Sequence, residues 1–578
     1  MARSFVAVTP GRPFPEYDGN PEFDHKRSGR RYQAIRRGDR LFQRRYETDS
    51  RGGGVKNEFE WEATHVVGSG NHARTYLHRT DAGEIFELPL TWYTQEKRWG
   101  MSPGYDLAAP DDFTRTVDDS CLFCHNGYPR ADGTLRDGID CQRCHGPGSE
   151  HVALAANSTS SREAVRAAVV NPARLTPDLQ MDICMQCHLE TTSAALPQML
   201  RRFGREPFSY RPGEPLRAYM VHFDHAPGTG NEGKFEIVNQ AYRLRQSQCF
   251  LRSAGRLTCA SCHDAHAVPR GEPAVAYYRG KCVSCHHAVT TASHPDHAAA
   301  DCKSCHMPPR RAEDAVHVVM TDHLVQRGPP VRDLTKPLDE RRSMYRGPLA
   351  LYDSRHLPAE ERDLYLGAAL IVQGADPKRG IALMEPFANR PAKADAVLAE
   401  GYFAAGNTER AISAFQAAIQ KDPSLPRAHY NLGHALESAG RFEDARAAYE
   451  AAVRAEPPFP EGEFALANLL VRLENAAVAG EHYRKAIQAR PVYAEAFNNL
   501  GNLLADGGQL EQAKHQFEQA LRINPGYAEA HNGMARILAA QRRLPEALVY
   551  VRRALQLKPD YAEARQNLSL LVQAIGTR

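Results

Sequence analysis

The chain has 578 residues, with 72 Lys plus Arg against 69 Asp plus Glu and a formal net charge of +3. That length supports two to four domains with cores of their own. The even charge balance excludes the extended basic surface that nucleic acid or an anionic membrane would select, and no run of 18 apolar residues occurs, so no transmembrane segment is expected.

Residues 1–115 contain no cysteine and read as a β-rich N-terminal region. In RYQAIRRGDRLFQRRYE the Gly38-Asp39 pair marks a turn between two strand-like runs, and EFEWEATHVV and EIFELPLTWY add aromatic and β-branched runs with partial alternation. These runs predict a small antiparallel sheet.

Residues 116–335 hold all 13 cysteines, and twelve of them fall into six CxxCH motifs. The motifs are Cys121-Cys124-His125, Cys141-Cys144-His145, Cys184-Cys187-His188, Cys259-Cys262-His263, Cys282-Cys285-His286 and Cys302-Cys305-His306. Chance would give this pattern on the order of 0.01 times in such a chain. In each motif two thiols can add to porphyrin vinyl groups while the adjoining histidine reaches the iron from one side. Paired zinc ribbons also use CxxC, but zinc does not require a histidine after every pair. The predicted cofactor is therefore haem c, six of them covalent. Between the motifs lie loops and short helices rich in Gly, Pro and Asp, expected to bury little apolar side chain alone and to fold around their porphyrins. Cys249 is left over and is expected to be a buried, inert thiol.

The second axial position decides whether an iron only passes electrons. Six motif histidines out of 25 leave 19 others. The candidate distal ligands are His151 in CHGPGSEH, His266 in CHDAH, His294 and His297 in HPDH, His317 and His323 in HVVMTDH, and His72 in GSGNHARTYLH. His222 and His225 in VHFDH are weaker candidates, and Met220 and Met307 read as core packing. Spacing does not assign pairs.

Residues 336–370 read as a proline-rich linker, and residues 371–578 repeat at 34 residues. The pairs Leu398-Ala399, Leu432-Gly433, Leu466-Ala467, Leu500-Gly501 and Met534-Ala535 recur in step with Ala411, Ala445, Ala479, Ala513 and Ala547. Pro423, Pro457, Pro491, Pro525 and Pro559 complete the pattern of a tetratricopeptide solenoid. A degenerate first repeat between 361 and 397 is left without a register. The fold expectation is a mixed multidomain chain: β-rich region, multihaem cytochrome c domain of loops and short helices, and all-α solenoid with a concave face for docking redox partner proteins or a second copy.

Taken together, CLFCHNGYP, CQRCHGPGSEH, CMQCHLETT, LTCASCHDAH, DCKSCHMP with HVVMTDH, and GSGNHARTYLHR with ELPLTWY and MSPGYD resemble one family. It comprises bacterial multihaem cytochromes with a C-terminal tetratricopeptide array, related in the haem segment to the tetrahaem cytochrome of nitrifying bacteria. The resemblance implies that His151 and His266 are distal ligands of neighbouring haems. Similar proteins carry a signal peptide and a further CxxCH ahead of MARSF, which implies a seventh haem in a longer native chain. MARSFVAVTPGRPFPEYDG itself lacks the regions of a secretory signal. Haem is attached to CxxCH outside the bacterial cytoplasm, so the expected location is periplasmic or extracellular, from a start upstream of this one.

Two functions follow. The first is electron transfer through closely packed six-coordinate haems. The second is a multihaem oxidoreductase acting on a small nitrogen or sulfur compound at a five-coordinate haem, for which no catalytic residue is identified.

Overall fold

The N-terminal strands pair into two antiparallel sheets rather than one. Their elements are β1 (Phe5–Ala7), β2 (Glu22–His25), β3 (Arg30–Arg37), β4 (Arg40–Thr48), β5 (Val55–Glu62), β6 (His65–Val67), β7 (Ala73–Arg79), β8 (Ile85–Tyr93) and β9 (Arg98–Met101). One sheet runs β2-β3-β4-β5 and the other β1-β6-β7-β8-β9. β3 and β4 meet at the Gly38-Asp39 turn, where Arg37 pairs with Arg40. Alternation along β4 sends Leu41, Gln43 and Arg45 inward. Gln43 then joins the sheets, donating to the Leu90 carbonyl and accepting from the Leu90 N–H, both at 2.8 Å. This computed structural model describes residues 5–48, 54–68, 70–130, 134, 136–189, 191, 199–286, 301–340, 347–353, 355, 357–374 and 376–576.

The motif segment contributes short helices: α1 (Asp119–His125), α2 (Gln142–His145), α3 (Ser149–Ala156), α4 (Arg162–Ala167), α5 (Pro177–His188), α6 (Gln240–Gln246), α7 (Gln248–Arg252), α8 (Cys259–Cys262), α9 (Glu272–Val283) and α10 (Cys302–His306). Short strands β10 (Met199–Arg201), β11 (Met220–His225) and β14 (Leu349–Leu351) form one small sheet, and β12 (Pro309–Arg311) pairs with β13 (Val319–Thr321). The expectation that this segment buries little of its own side chain fails for its first half. Leu122, Phe123, Met181, Met185, Tyr210, Tyr219 and Met220 form a core with Phe5, Leu77 and Ile85 of the N-terminal sheets. It holds for the second half: between 251 and 286 only Thr258 and Ala274 are buried.

The stretch expected to be a linker supplies β14, and α11 (Ala359–Gln373) begins within it. After α11 come α12 (Pro377–Met384), α13 (Ala392–Ala404), α14 (Thr408–Lys421), α15 (Pro426–Ser438), α16 (Phe442–Ala455), α17 (Pro460–Arg472), α18 (Ala476–Ala489), α19 (Ala494–Asp506), α20 (Leu510–Ile523), α21 (Ala528–Ala540), α22 (Leu544–Leu557) and α23 (Ala562–Gly576). Each helix packs on the next as successive hairpins. The small residues of the repeat are explained by contact: a Cβ on Gly433 would stand 2.4 Å from the Tyr449 ring of the partner helix. α11 and α12 make the degenerate first hairpin, and buried Leu364 lies one repeat before buried Leu398.

Cores cross the expected domain boundaries. Val492, Ala494 and Ile523 of the repeats are buried in the same cluster as Tyr32, Leu41 and Phe59. At this seam Arg45, fully buried, donates to Asp112 at 2.7 Å, to the Ile523 carbonyl at 3.0 Å and to the Asn57 carbonyl at 3.1 Å, and also to the Arg522 carbonyl. Asp112 is shared with Arg30 and the Tyr32 hydroxyl, each at 2.5 Å. Arg490 reaches back to Glu84 at 2.7 Å. At the other end of the array Arg202 pairs with Glu361 at 2.5 Å, and Phe203 stacks on Tyr365. The solenoid therefore braces both upstream regions. Replacing Arg45 with Met should cost about 3 kcal/mol, because two helix-end carbonyls lose their donor and the buried Asp112 keeps only Arg30 and Tyr32 among the described residues. Denaturant unfolding should show that loss, whereas Arg40→Met on the exposed side of the same strand should stay within about 0.5 kcal/mol.

Candidate haem-binding motif cluster

Each motif sits on a helical turn, where positions i, i+3 and i+4 share one face, so both thiols and the histidine point the same way. Polar residues just ahead of the motifs start those turns. Asp118 accepts from the Ser120 and Cys121 N–H groups, Asp140 from Gln142 N–H, and Asp301 from Lys303 N–H. Thr258 forms a capping box with Ser261 ahead of the fourth motif.

The first three motifs interlock through their middle residues. Arg143, between the second pair of cysteines, is 1% exposed. Its guanidinium donates to the Phe123 carbonyl at 2.7 Å and lies 4.1 Å from the Phe123 ring centre, while Gln186 donates to the Arg143 carbonyl at 3.1 Å. Phe123 and Gln186 are the middle residues of the first and third motifs. Among the described residues no carboxylate pairs with Arg143; the rings of Phe123, Tyr128 and Phe208 face it instead. The fourth motif joins through Cys259, whose N–H lies 3.3 Å from the Met181 sulfur of α5.

All 13 cysteines are free thiols. Partial burial pushes the Cys144 and Cys282 thiols up to about 11, so they are protonated at neutral pH. The Cys124 thiol donates to the Gln186 carbonyl at 3.8 Å, and the Cys259 thiol lies 3.6 Å from the Met181 sulfur. Among the described residues no group of three or more His, Cys, Asp or Glu side chains is placed to hold a metal ion.

The histidines carry the clearest geometry. Nδ1 donates to a backbone carbonyl in His145 (Val170, 2.8 Å), His306 (Gln326, 2.7 Å), His151 (Val165, 2.7 Å) and His323 (Thr321, 3.1 Å). His188 Nδ1 is 3.1 Å from the Gln240 side-chain oxygen, and His263 Nδ1 is 3.1 Å from the Tyr278 hydroxyl. Such bonds orient the ring and leave the Nε2 lone pair for a metal. Burial pushes His323 down to about 4, so its imidazole is neutral at neutral pH.

Two candidate distal ligands lie beside motif histidines, one pair of rings stacked and the other tilted. The His145 and His266 ring centres are 6.0 Å apart, and those of His263 and His323 are 6.1 Å apart. Two imidazoles bonded to one metal at about 2 Å each would have ring centres about 6 Å apart. The donor types suit a covalently held iron porphyrin: each motif would supply a Cys pair and a histidine, and His266 and His323 would supply further imidazoles near the second and fourth motifs.

The remaining candidates are placed differently. His317 turns away to the N-terminal sheets, with its ring against Tyr93, Nδ1 at 3.3 Å from Arg98 and Nε2 at 3.6 Å from Asp106. Both ring nitrogens are engaged there, so the structure places His317 in the seam between regions and not opposite a motif. His72 precedes β7, with its Nδ1 buried. His294 and His297 lie outside the described residues. His222 is buried, pushed down to about 4, and lines a small cavity with Cys124 and Cys187; buried His225 lies 3.3 Å from the Lys234 ammonium. Met220 is in the core, as expected.

The comparisons with known proteins speak to the C-terminal part. A tetratricopeptide repeat model matches residues 397–460, 464–513 and 499–562. Similar solved structures include YrrB, a TPR protein with an unusual peptide-binding site, 25% identical over 30% of this chain and 90% of that one, with a TM-score of 0.28. MamA of Desulfovibrio magneticus is 17% identical over 30% of this chain and 97% of its own, with a TM-score of 0.28. PilF of Pseudomonas aeruginosa is 17% identical over 36% of this chain and 96% of its own, with a TM-score of 0.33. No curated protein matches the chain. The C-terminal region is an all-α array of tetratricopeptide repeats, which suggests protein–protein interaction or docking. No helix among the described residues is long and apolar enough to cross a membrane.

Sequence reasoning missed the Phe123, Arg143 and Gln186 knot, because nothing in a CxxCH pattern tells which way its middle residues point. It also missed the pair that holds His323. Arg243, buried in α6, grips Asp322 through two hydrogen bonds of 2.9 and 2.8 Å, and Asp322 immediately precedes that histidine. Arg243→Met should destabilise the protein by about 3 kcal/mol, since the buried Asp322 carboxylate loses its two-bond partner and keeps only the Leu324 N–H and Arg310 at 3.5 Å among the described residues. Thermal and denaturant unfolding measure the loss, and Arg243→Lys should recover part of it.

Proposed function

We propose that this chain is a multihaem c-type cytochrome that carries electrons through six covalently held haems, exported to the periplasm or beyond, with its repeat array serving as brace and docking part. The observation that carries the proposal is the gathering of six CxxCH motifs, whose first and last cysteine pairs begin 181 positions apart at Cys121 and Cys302, into one contiguous cluster. The Nδ1 bonds of the motif histidines and the two imidazole pairs near 6 Å support it further.

In this function the motif cysteines hold the group by thioether bonds and His125, His145, His188, His263, His286 and His306 bind its iron. His266 and His323 complete the second and fourth sites, and His151 is a further distal ligand on the resemblance of its motif. When bound, haem supplies reversible one-electron Fe(III)/Fe(II) chemistry. The protein's own part is to fix the spacing between the motifs and to bury their middle residues Phe123, Arg143 and Gln186. Partners are redox proteins that meet the array or the exposed motifs.

The test is the full chain, supplied with an export signal and matured where haem attachment takes place. Mass spectrometry should count six haems, and electron paramagnetic resonance should find low-spin iron. Absence of covalent haem overturns the proposal. A high-spin iron that shifts on adding nitrite or hydroxylamine would replace the carrier with an oxidoreductase. His323→Met should change the low-spin signal of one centre without changing the haem count, because methionine alters the axial field while the thioether bonds remain.

A further inference from the structure

The segment that follows the sixth motif, residues 309–340, lies against the N-terminal sheets and is tied there at two points that meet one turn, residues 103–106. Buried Glu340 accepts from the Asp106 N–H at 2.6 Å and also from the Gly104 N–H. His317 meets the side chain of the same Asp106 and the start of β9: Nε2 is 3.6 Å from the Asp106 carboxylate, Nδ1 is 3.3 Å from Arg98, and the ring centre is 4.9 Å from that of Tyr93. Tyr93 in turn shares a small core with Ala312, Ala315 and Val318 of the segment.

These contacts select one tautomer. A guanidinium only donates, so His317 Nδ1 accepts from Arg98 and the single ring proton of the neutral form is on Nε2, toward Asp106. A second proton would sit on Nδ1, which breaks that hydrogen bond and sets two cations against each other. Little is gained in return, because Asp106 already bonds His25 Nε2 at 3.0 Å and has Arg27 at 3.6 Å. The other charges around the ring are Glu96, paired with Arg98 at 2.6 Å, and Arg311, 3.8 Å from Glu96. Burial first and Arg98 second hold the His317 imidazole below its ordinary value, in agreement with this geometry.

We infer that His317 is an acid-released clasp: neutral, it holds residues 309–340 on the N-terminal sheets, and protonated, it lets go of Arg98 and loosens that segment at β9. The same segment carries the Gln326 carbonyl that accepts from His306, so the clasp bears on how the sixth motif is held. The inference goes beyond the proposed function and needs no bound group. The clasp is complete above the ordinary imidazole value of about 6.5 and weakens as pH falls below it, because an unfolded chain takes up a proton that the folded seam resists. Two nearby carboxyls act in the opposite sense: burial pushes Glu87 up to about 7 and raises Glu340, so both favour the folded seam as pH falls. A comparison of variants separates these effects.

Amide hydrogen exchange of the full chain at about pH 7.5 and about pH 5.5, on either side of the imidazole value, tests the clasp once each rate is divided by its intrinsic value. His317→Gln keeps an acceptor for Arg98 and a donor for Asp106 without a titrating ring. Relative to that variant, the parent should lose protection several-fold at the lower pH in β9 and β13, whereas the α15–α16 hairpin should not differ. Equal acid response of β9 and β13 in parent and variant overturns the inference. Should His317→Gln fail to fold, Arg98→Gln decides, because Arg98 is half exposed and its removal takes away the opposing cation. Its acid loss should then be smaller than the parent's, and an unchanged loss overturns the inference. A haem count of zero would refute the proposed function and leave this comparison standing.

Discussion

A guanidinium buried where three CxxCH segments meet is the constraint on which the candidate site depends. Arg143 holds the Phe123 carbonyl and ring, and its own carbonyl is held by Gln186. Taking a guanidinium out of water costs several kcal/mol, while cation–π contact returns about 0.5–2 kcal/mol per ring. The knot therefore persists because the surrounding core fixes it, and in return it sets the mutual placement of three motifs.

The second dependence runs between regions. Arg45 and Arg490 tie the N-terminal sheets to the inter-repeat turns, and Arg202 with Phe203 ties the motif segment to the first hairpin. A solenoid so occupied along part of its surface is a structural brace as well as a surface for docking. The same arrangement explains why the second half of the motif segment, which has little buried side chain, is still held between well-packed neighbours.

Much of this was legible in the residues, for physical reasons that differ by region. The Gly38-Asp39 turn and the repeat period are local signals, and local signals survive folding: β3 and β4 meet where the turn requires, and Gly433 is small because Tyr449 lies against it. Long-range choices were not legible. His317 and His323 lie six residues apart in one short stretch, yet one turns to Asp106 and the other to His263. They flank β13 on either side, and strand alternation alone would put residues six apart on one face, so it is the packed neighbours that send them different ways. The core formed by Leu122, Met181 and Tyr210 was hidden because its members come from separate loops without a common period.

The bond from Arg45 to the Ile523 carbonyl spans 478 positions of the chain. A contact of that separation forms late, because loop closure must precede the gain it brings. The carbonyls come from a part of the polypeptide made after the sheets and after all six motifs, and domains made first generally fold first. The N-terminal sheets thus reach their final burial only when the last repeats arrive. Until then the CxxCH stretch lacks its outer support, so the parts of the chain made first complete their packing last.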